Sequence, residues 1–298
     1  MQHLLAFGDS YTFVQGTQGL WNFSFISDAF NYSYTPEQLL TDKIVKNTTS
    51  SGGANWVEYL TRCYEGLPRN CTGTQLWDFA FAGADISTAF LPLHHNYSVD
   101  LDHQVVQWDL YARSVLKSDP KDTLVAFWIG INDIGDSGKF TNVSFPDYYK
   151  TLVDRYFESV ELVKSRGYQN FVFMLLPPLE KTPPNLISAD PHANTSQIAE
   201  FDAAISSYVS AFQGKHGSSV QTFVFDTYSV LNAVLADPAP YRIKNTTGYC
   251  SAYDQPDVLW NYAAYGCQPI SEYFWFNTGH ITYTVHEIIA DELRRQIR

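Results

Sequence analysis

Basic residues are scarce in this chain. Its 298 residues carry 19 Lys and Arg against 31 Asp and Glu, a formal charge of -12 at pH 7. A surface of that sign repels nucleic acid and anionic membranes, so neither is expected as a partner. No run approaches the 18 or more uninterrupted apolar residues of a membrane span, and a soluble protein is expected. The opening residues lack the basic, apolar, small-residue order of a secretory signal; any such signal is expected to have been removed. Cysteine is limited to four residues, too loosely spaced for a zinc site. His94, His95 and His103 have no cysteine or carboxylate frame at ligand spacing, so they read as loop surface, and no metal or cofactor is expected. Repeats, heptads and low-complexity tracts are absent. So is any Gly-x-Ser-x-Gly pentapeptide, which disfavours the α/β-hydrolases built on that nucleophile elbow.

What is present is a 45% hydrophobic chain without a break in composition. That predicts a single domain over residues 1–298 around one core, and a monomer. Short apolar, β-branched or aromatic runs at 4–7, 76–81, 124–129, 171–176 and 220–225 read as five buried strands. Helical periodicity occupies 56–63, 101–116, 148–164, 198–212 and about 284–297. Strands alternating with helices predict an α/β fold with a parallel sheet covered on both faces, and site residues at the carboxyl ends of the strands. Three long connections, 11–53, 177–195 and 237–277, are candidate walls of a binding site.

The compartment is legible from sequons. N-x-S/T occurs at Asn22, Asn31, Asn47, Asn70, Asn96, Asn142, Asn194 and Asn245, eight of fifteen asparagines, where chance would supply about two or three. N-linked glycans on a secreted, extracellular protein are the expectation. Cys63 lies close to Cys71, and Cys250 close to Cys267. An even count fits two local disulfides, although three pairings are formally possible.

Candidate chemistry gathers after the strands. Phe7-Gly8-Asp9-Ser10-Tyr11 follows the first and puts a serine at a sharp turn that Gly8 permits, with Asp9 in a turn or helix-start role. A hydroxyl becomes a nucleophile only with a base beside it and preorganised donors for the oxyanion. Gly83, in Phe79-Ala80-Phe81-Ala82-Gly83-Ala84-Asp85, can present an unobstructed backbone N–H. Asn132, in Gly130-Ile131-Asn132-Asp133-Ile134, can direct a side-chain N–H to the same point. Asn277-Thr278-Gly279-His280-Ile281-Thr282 stands just before the last helix, from which His280 can reach back over the sheet. His286, six residues further on, reads as a packing or cap residue.

These four positions, Ser10, Gly83, Asn132 and His280, resemble the signature of the SGNH hydrolases, the GDSL esterase/lipase family, over nearly the whole chain. The resemblance implies a three-layer α/β/α sandwich of flavodoxin-like type around a five-stranded parallel sheet. It also implies an oxyanion hole made of the Ser10 N–H, the Gly83 N–H and the Asn132 side chain. Gly-Asp-Ser-Tyr, the aromatic lead into Gly130-Ile131-Asn132-Asp133 and the ending from Phe276 to His286 look like fungal carbohydrate acetylesterases of carbohydrate esterase family 16. The family commonly has Asp three residues before the histidine and Pro after it; here the positions hold Asn277 and Ile281. Asn277, Glu272, Asp257 or a main-chain carbonyl could each orient His280.

The resulting expectation is a secreted serine esterase that removes acetyl groups from a small ester such as an acetylated, hemicellulose-derived oligosaccharide. A lipid-active lipase, phospholipase or acyltransferase of the same fold, and a carbohydrate-binding protein with a degenerate site, are the alternatives. Trp260, Tyr262, Tyr265, Tyr273, Phe274 and Trp275 precede His280 and either stack on substrate or fill the core.

Overall fold

The computed structural model describes residues 1–18, 34–189, 191 and 193–297. Five strands, β1 (His3–Gly8), β2 (Gln75–Asp78), β3 (Thr123–Trp128), β4 (Asn170–Met174) and β5 (Gln221–Phe225), form one all-parallel sheet in the order β2-β1-β3-β4-β5. Their cores are the apolar runs of the sequence, because a strand buried on both faces has no polar alternation to show. The second run overreaches. The strand ends at Asp78, and residues 79–81 continue as buried chain, still bonded to β1 through the Phe79 and Phe81 N–H groups donating to the Ala6 and Gly8 carbonyls at 2.8 and 3.0 Å, before the turn toward Gly83.

The helices that matter to the site are α1 (Trp56–Thr61), α2 (Leu101–Gln107), α3 (Ile131–Ser137), α4 (Phe145–Ser165), α5 (Thr195–His216), α6 (Thr227–Ala236) and α7 (Tyr283–Gln296). α2, α4 and α5 cover one face of the sheet and α1, α6 and α7 the other. Helix α6 was not expected from periodicity. The long helix expected over 101–116 is interrupted by a π turn at Trp108–Ala112 before it resumes at Arg113–Leu116.

Register explains the core. Phe7 pairs with Phe127 and Phe127 with Phe173, so on the α4 face their rings stack with centroids 5.2 and 5.9 Å apart. Tyr156 and Phe157 of α4 pack onto this ladder at 5.6 and 5.5 Å. The opposite face turns Trp128 against Trp56 and Tyr11 at 6.1 and 5.2 Å. Rings of this size each contribute roughly 2–3 kcal/mol on burial. A rigid sheet end results, on which short connections can be placed accurately.

The sheet order reverses between β1 and β3: the chain leaves β1 for β2 on one side and returns to β3 on the other. The crevice at the carboxyl end of β1 is therefore the topological switch point, where ligands bind in open α/β sheets. Cys63 is bonded to Cys71 and Cys250 to Cys267. Asn47, Asn70, Asn96, Asn142 and Asn194 are exposed and Asn245 is half-buried; Asn22 and Asn31 lie outside the described residues. Among those residues, no helix is long and apolar enough to cross a membrane.

Candidate active site

Ser10 lies two residues beyond β1, in a turn fixed from several sides. Gly8 has no alternative there: a Cβ on it would lie 2.2 Å from the Trp128 carbonyl oxygen of the neighbouring strand. The Asp9 Oδ1 accepts from the Tyr11 N–H at 2.9 Å, and the Asp9 main-chain carbonyl accepts from the N–H groups of Thr12 and Phe13, both at 3.0 Å. Asn55, the N-cap of α1, donates its side-chain amide to the carbonyls of Thr12 and Phe13 at 2.6 and 2.9 Å. The turn thus carries the serine on a scaffold of backbone bonds.

His280 arrives from a narrow loop closed by a bridge between Trp275 and Ile281. Its Nε2 stands 2.8 Å from Ser10 Oγ, and its Nδ1 stands 2.9 Å from Asn277 Oδ1. The same Oδ1 accepts from the Gly279 and His280 backbone N–H groups at 3.0 and 2.9 Å. Only an oxygen can accept from those two donors, so they fix which way the amide faces. The imidazole then carries its proton on Nδ1 and leaves the Nε2 lone pair for the serine hydroxyl. Glu272 and Asp257 are engaged elsewhere. Glu272 takes the Lys244 ammonium at 2.7 Å, while Asp257 accepts from Asn261 and Tyr265 at 2.7 and 2.6 Å.

Three features seat the remaining candidates. Gly83 has φ +76°, a left-handed conformation natural to glycine, and its loop is joined to β1 by the Phe81 N–H donating to the Gly8 carbonyl at 3.0 Å. Asn132, in the first turn of α3, donates one side-chain N–H to the Ala84 carbonyl at 2.8 Å. An amide NH2 has two protons, so this bond orients the second. Asp133, beside it, accepts from the Ile86 N–H at 3.0 and 3.2 Å and ties the Gly83 loop to α3. A serine hydroxyl with an imidazole nitrogen at hydrogen-bond distance has the arrangement that a nucleophile for carbonyl attack requires.

A family model for GDSL-like Lipase/Acylhydrolase matches residues 4–293. The chain belongs to this GDSL-like family. It is 24% identical to an acetylesterase of Thermothelomyces thermophilus over 87% of this chain and 81% of that protein. It is 23% identical to an acetylesterase of Hypocrea jecorina, over 98% and 87%. It is also similar to the solved structure of an acetylxylan esterase from Geobacillus stearothermophilus, with TM-score 0.48 and 16% identity over 99% and 94% of the two chains. As a GDSL-like hydrolase, the protein is a carboxylic ester hydrolase.

The geometry of this GDSL-like hydrolase includes residues that the sequence pattern passed over. Gln104 is fully buried on α2 and clamps the last residue of β1. Its Oε1 accepts from the Gly8 N–H at 3.0 Å, and its Nε2 donates to the carbonyls of Gly8 and Val99 at 2.9 and 2.8 Å. Losing that amide would strand the buried Gly8 N–H at a cost of about 1–3 kcal/mol. A signal existed: Leu101, Gln104, Val105 and Trp108 share one helical face, and a glutamine in an apolar stripe is out of place unless it is bonded. Tyr11 links the Ser10 turn to the His280 loop, donating its hydroxyl to the Gly279 carbonyl at 2.6 Å. His286 is buried in packing against Tyr11 and Trp128. His103 bonds Asp100. His94 is exposed and His95 half-buried on their loop, and both rings lie against Gly83. Of the aromatics before His280, Tyr273, Phe274 and Trp275 are buried, whereas Trp260 is 72% exposed.

Electrostatics around the GDSL-like site are governed by burial. It lowers His280 to about 4 and, with a contribution from His280, His286 to about 3. It raises Asp42, Asp133 and Asp202 to about 7, Asp9 and Glu58 to about 8 and Asp85 to about 9, and holds Asp78 well above the usual carboxylate range. Stability follows from the proton balance. The folded acids keep protons that the unfolded chain releases above about pH 4, so their contribution is present at low pH and is lost as pH climbs through 7 to 9. The two histidines act oppositely, because the unfolded imidazoles gain protons below about 6.5 that the folded ones refuse. The acids outnumber them. Thermal melting monitored by circular dichroism should therefore give a lower midpoint at about pH 9 than at about pH 5.5; a midpoint that is flat or rises over that interval would contradict the assignment of buried neutral acids.

Proposed function

We propose that the protein is a secreted serine esterase that removes acetyl groups from carbohydrates through an acyl-enzyme on Ser10. The observation that carries this reading is the line from Ser10 Oγ to His280 Nε2, 2.8 Å, and from His280 Nδ1 to Asn277 Oδ1, 2.9 Å. His280 takes the hydroxyl proton as Ser10 Oγ attacks the ester carbonyl. The oxyanion receives hydrogen bonds from the Ser10 N–H, the Gly83 N–H and the second N–H of Asn132. The imidazolium then returns its proton to the departing alkoxide, which leaves as an alcohol. Water, deprotonated by His280, attacks the acyl-enzyme, and collapse releases acetate and regenerates Ser10.

Acetate as the acyl group is supported by the two acetylesterase relatives. A carbohydrate alcohol is supported by the exposed Trp260 and Tyr265 on the segment leading to His280, since such rings present apolar faces with a polar handle. Secretion is supported by exposed sequons and by two disulfides, which persist in oxidising compartments. The low basicity of His280 keeps the base unprotonated in acid, so kcat/KM should hold down to about pH 5.

An acyl-chain series of p-nitrophenyl esters, run beside acetylated xylo-oligosaccharides, tests the substrate class. We expect kcat/KM to peak at the two-carbon ester and to fall about tenfold or more by eight carbons, with acetate released from the oligosaccharide. A maximum at eight carbons or longer would point instead to a lipid-active enzyme. Glycan binding without any acyl-enzyme burst would point to a binding protein.

A further inference from the structure

Gly83 and Asn132 come from different strand ends, and a His–Asp pair links their two segments. A Cβ on Gly83 would meet His95 Cδ2 at 3.1 Å and His94 Cδ2 at 3.3 Å, so the edges of both imidazoles lie on this one residue. Asp136 stands four residues after Asn132 on α3, one turn along the same face. His94 Nδ1 and Asp136 Oδ2 are 3.0 Å apart. The loop is braced further: His95 meets His94 edge-on at 4.7 Å and stacks on Tyr97 at 5.0 Å, while the Ser98 hydroxyl donates to the Ala82 carbonyl at 3.3 Å. The side chains of His94 and Asp136 are 40% and 33% exposed. At that exposure such a hydrogen-bonded pair adds at most about 1 kcal/mol to folding, so global stability does not account for its position.

We propose that His94 and Asp136 are positioning residues whose pair clamps the loop packed on Gly83 to the helix bearing Asn132, keeping two oxyanion donors aimed at one point. The proposal rests on the reading of Gly83 and Asn132 as those donors. Its physical basis is the steep dependence of transition-state stabilisation on donor placement, since a displacement of about 1 Å can cost about a hundredfold in rate. Ground-state ester binding depends far less on that alignment. Breaking the clamp therefore acts on kcat and largely spares KM.

The test uses p-nitrophenyl acetate with His94→Ala, Asp136→Ala, their double variant and Asp136→Asn, each with its melting temperature. Both single alanine variants should lose about tenfold in kcat with KM changed less than about twofold, at unchanged melting temperature. The double variant should be no slower than either single one, because a shared interaction is lost only once. Asp136→Asn, whose carbonyl can still accept from His94, should recover most of the rate. Unchanged kcat, a loss confined to KM, or fully additive losses would overturn the clamp. Asn132→Ala in the same assay separates the two layers: a loss of about a hundredfold upholds the oxyanion reading on its own, and no loss overturns that reading and the clamp with it.

Discussion

Ser10→Ala is expected to remove hydrolysis of p-nitrophenyl acetate, with kcat falling by about a millionfold at the upper scale known for loss of a serine nucleophile. The size of the effect follows from what Ser10 supplies. Its hydroxyl is the oxygen that His280 Nε2 meets at 2.8 Å, and without it the proposed acyl-enzyme has no oxygen to form on. What survives is the contribution of oriented donors and binding, about a thousandfold or more over water. The fold should be untouched. The turn is held by Asp9, Gln104 and Asn55 through backbone bonds that do not involve the serine side chain, so the melting temperature should stay within about a degree or two. Retained turnover at the wild-type rate would remove Ser10 from the mechanism.

Asn277→Asp is expected to raise kcat by about tenfold to a hundredfold. In serine proteases the reverse change, Asp to Asn, lowers turnover about ten-thousandfold, largely because the amide selects the wrong histidine tautomer. Here that part of the penalty is absent: the Gly279 and His280 N–H groups hold Oδ1 toward Nδ1 and so fix the productive tautomer. What Asn277 lacks is charge. A carboxylate in its place would stabilise the imidazolium that forms as the serine proton moves, and would lift His280 from about 4 back toward the ordinary imidazole range. The acid limb of kcat/KM should then move to higher pH while the plateau rises. A plateau that stays or falls, with the acid limb unmoved, would show that Asn277 does not face the working nitrogen of His280.

The fold was largely legible because each strand is buried on both faces and therefore appears as an unbroken apolar run. Errors arose where local pattern and pairing part company. Residues 79–81 are as apolar as the strand before them and Phe79 and Phe81 still donate to β1, but the regular strand ends at Asp78 and the chain must turn to deliver Gly83. The interruption of 101–116 is equally invisible, since a π turn conserves the helical spacing on either side. At the site, motif position alone brought Ser10, Gly83, Asn132, Asn277 and His280 into consideration. Partnerships across the fold were not readable. Gln104 and Gly8 are 96 residues apart and Tyr11 and Gly279 are 268 apart, and nothing in either segment names the other. His94 and His95 lack metal-ligand spacing, and nothing in their own segment names another role. Their neighbour is a glycine whose missing side chain leaves room for two rings.

Covalent labelling with a fluorophosphonate, followed by peptide mapping, tests the central claim most directly, because the reagent reports the nucleophile without assuming a substrate. The predicted result is one phosphonylated residue, Ser10, with labelling abolished by Ser10→Ala and strongly slowed by His280→Ala. A label on any other residue, or labelling that persists in Ser10→Ala, would contradict the assignment of Ser10 as the residue that attacks.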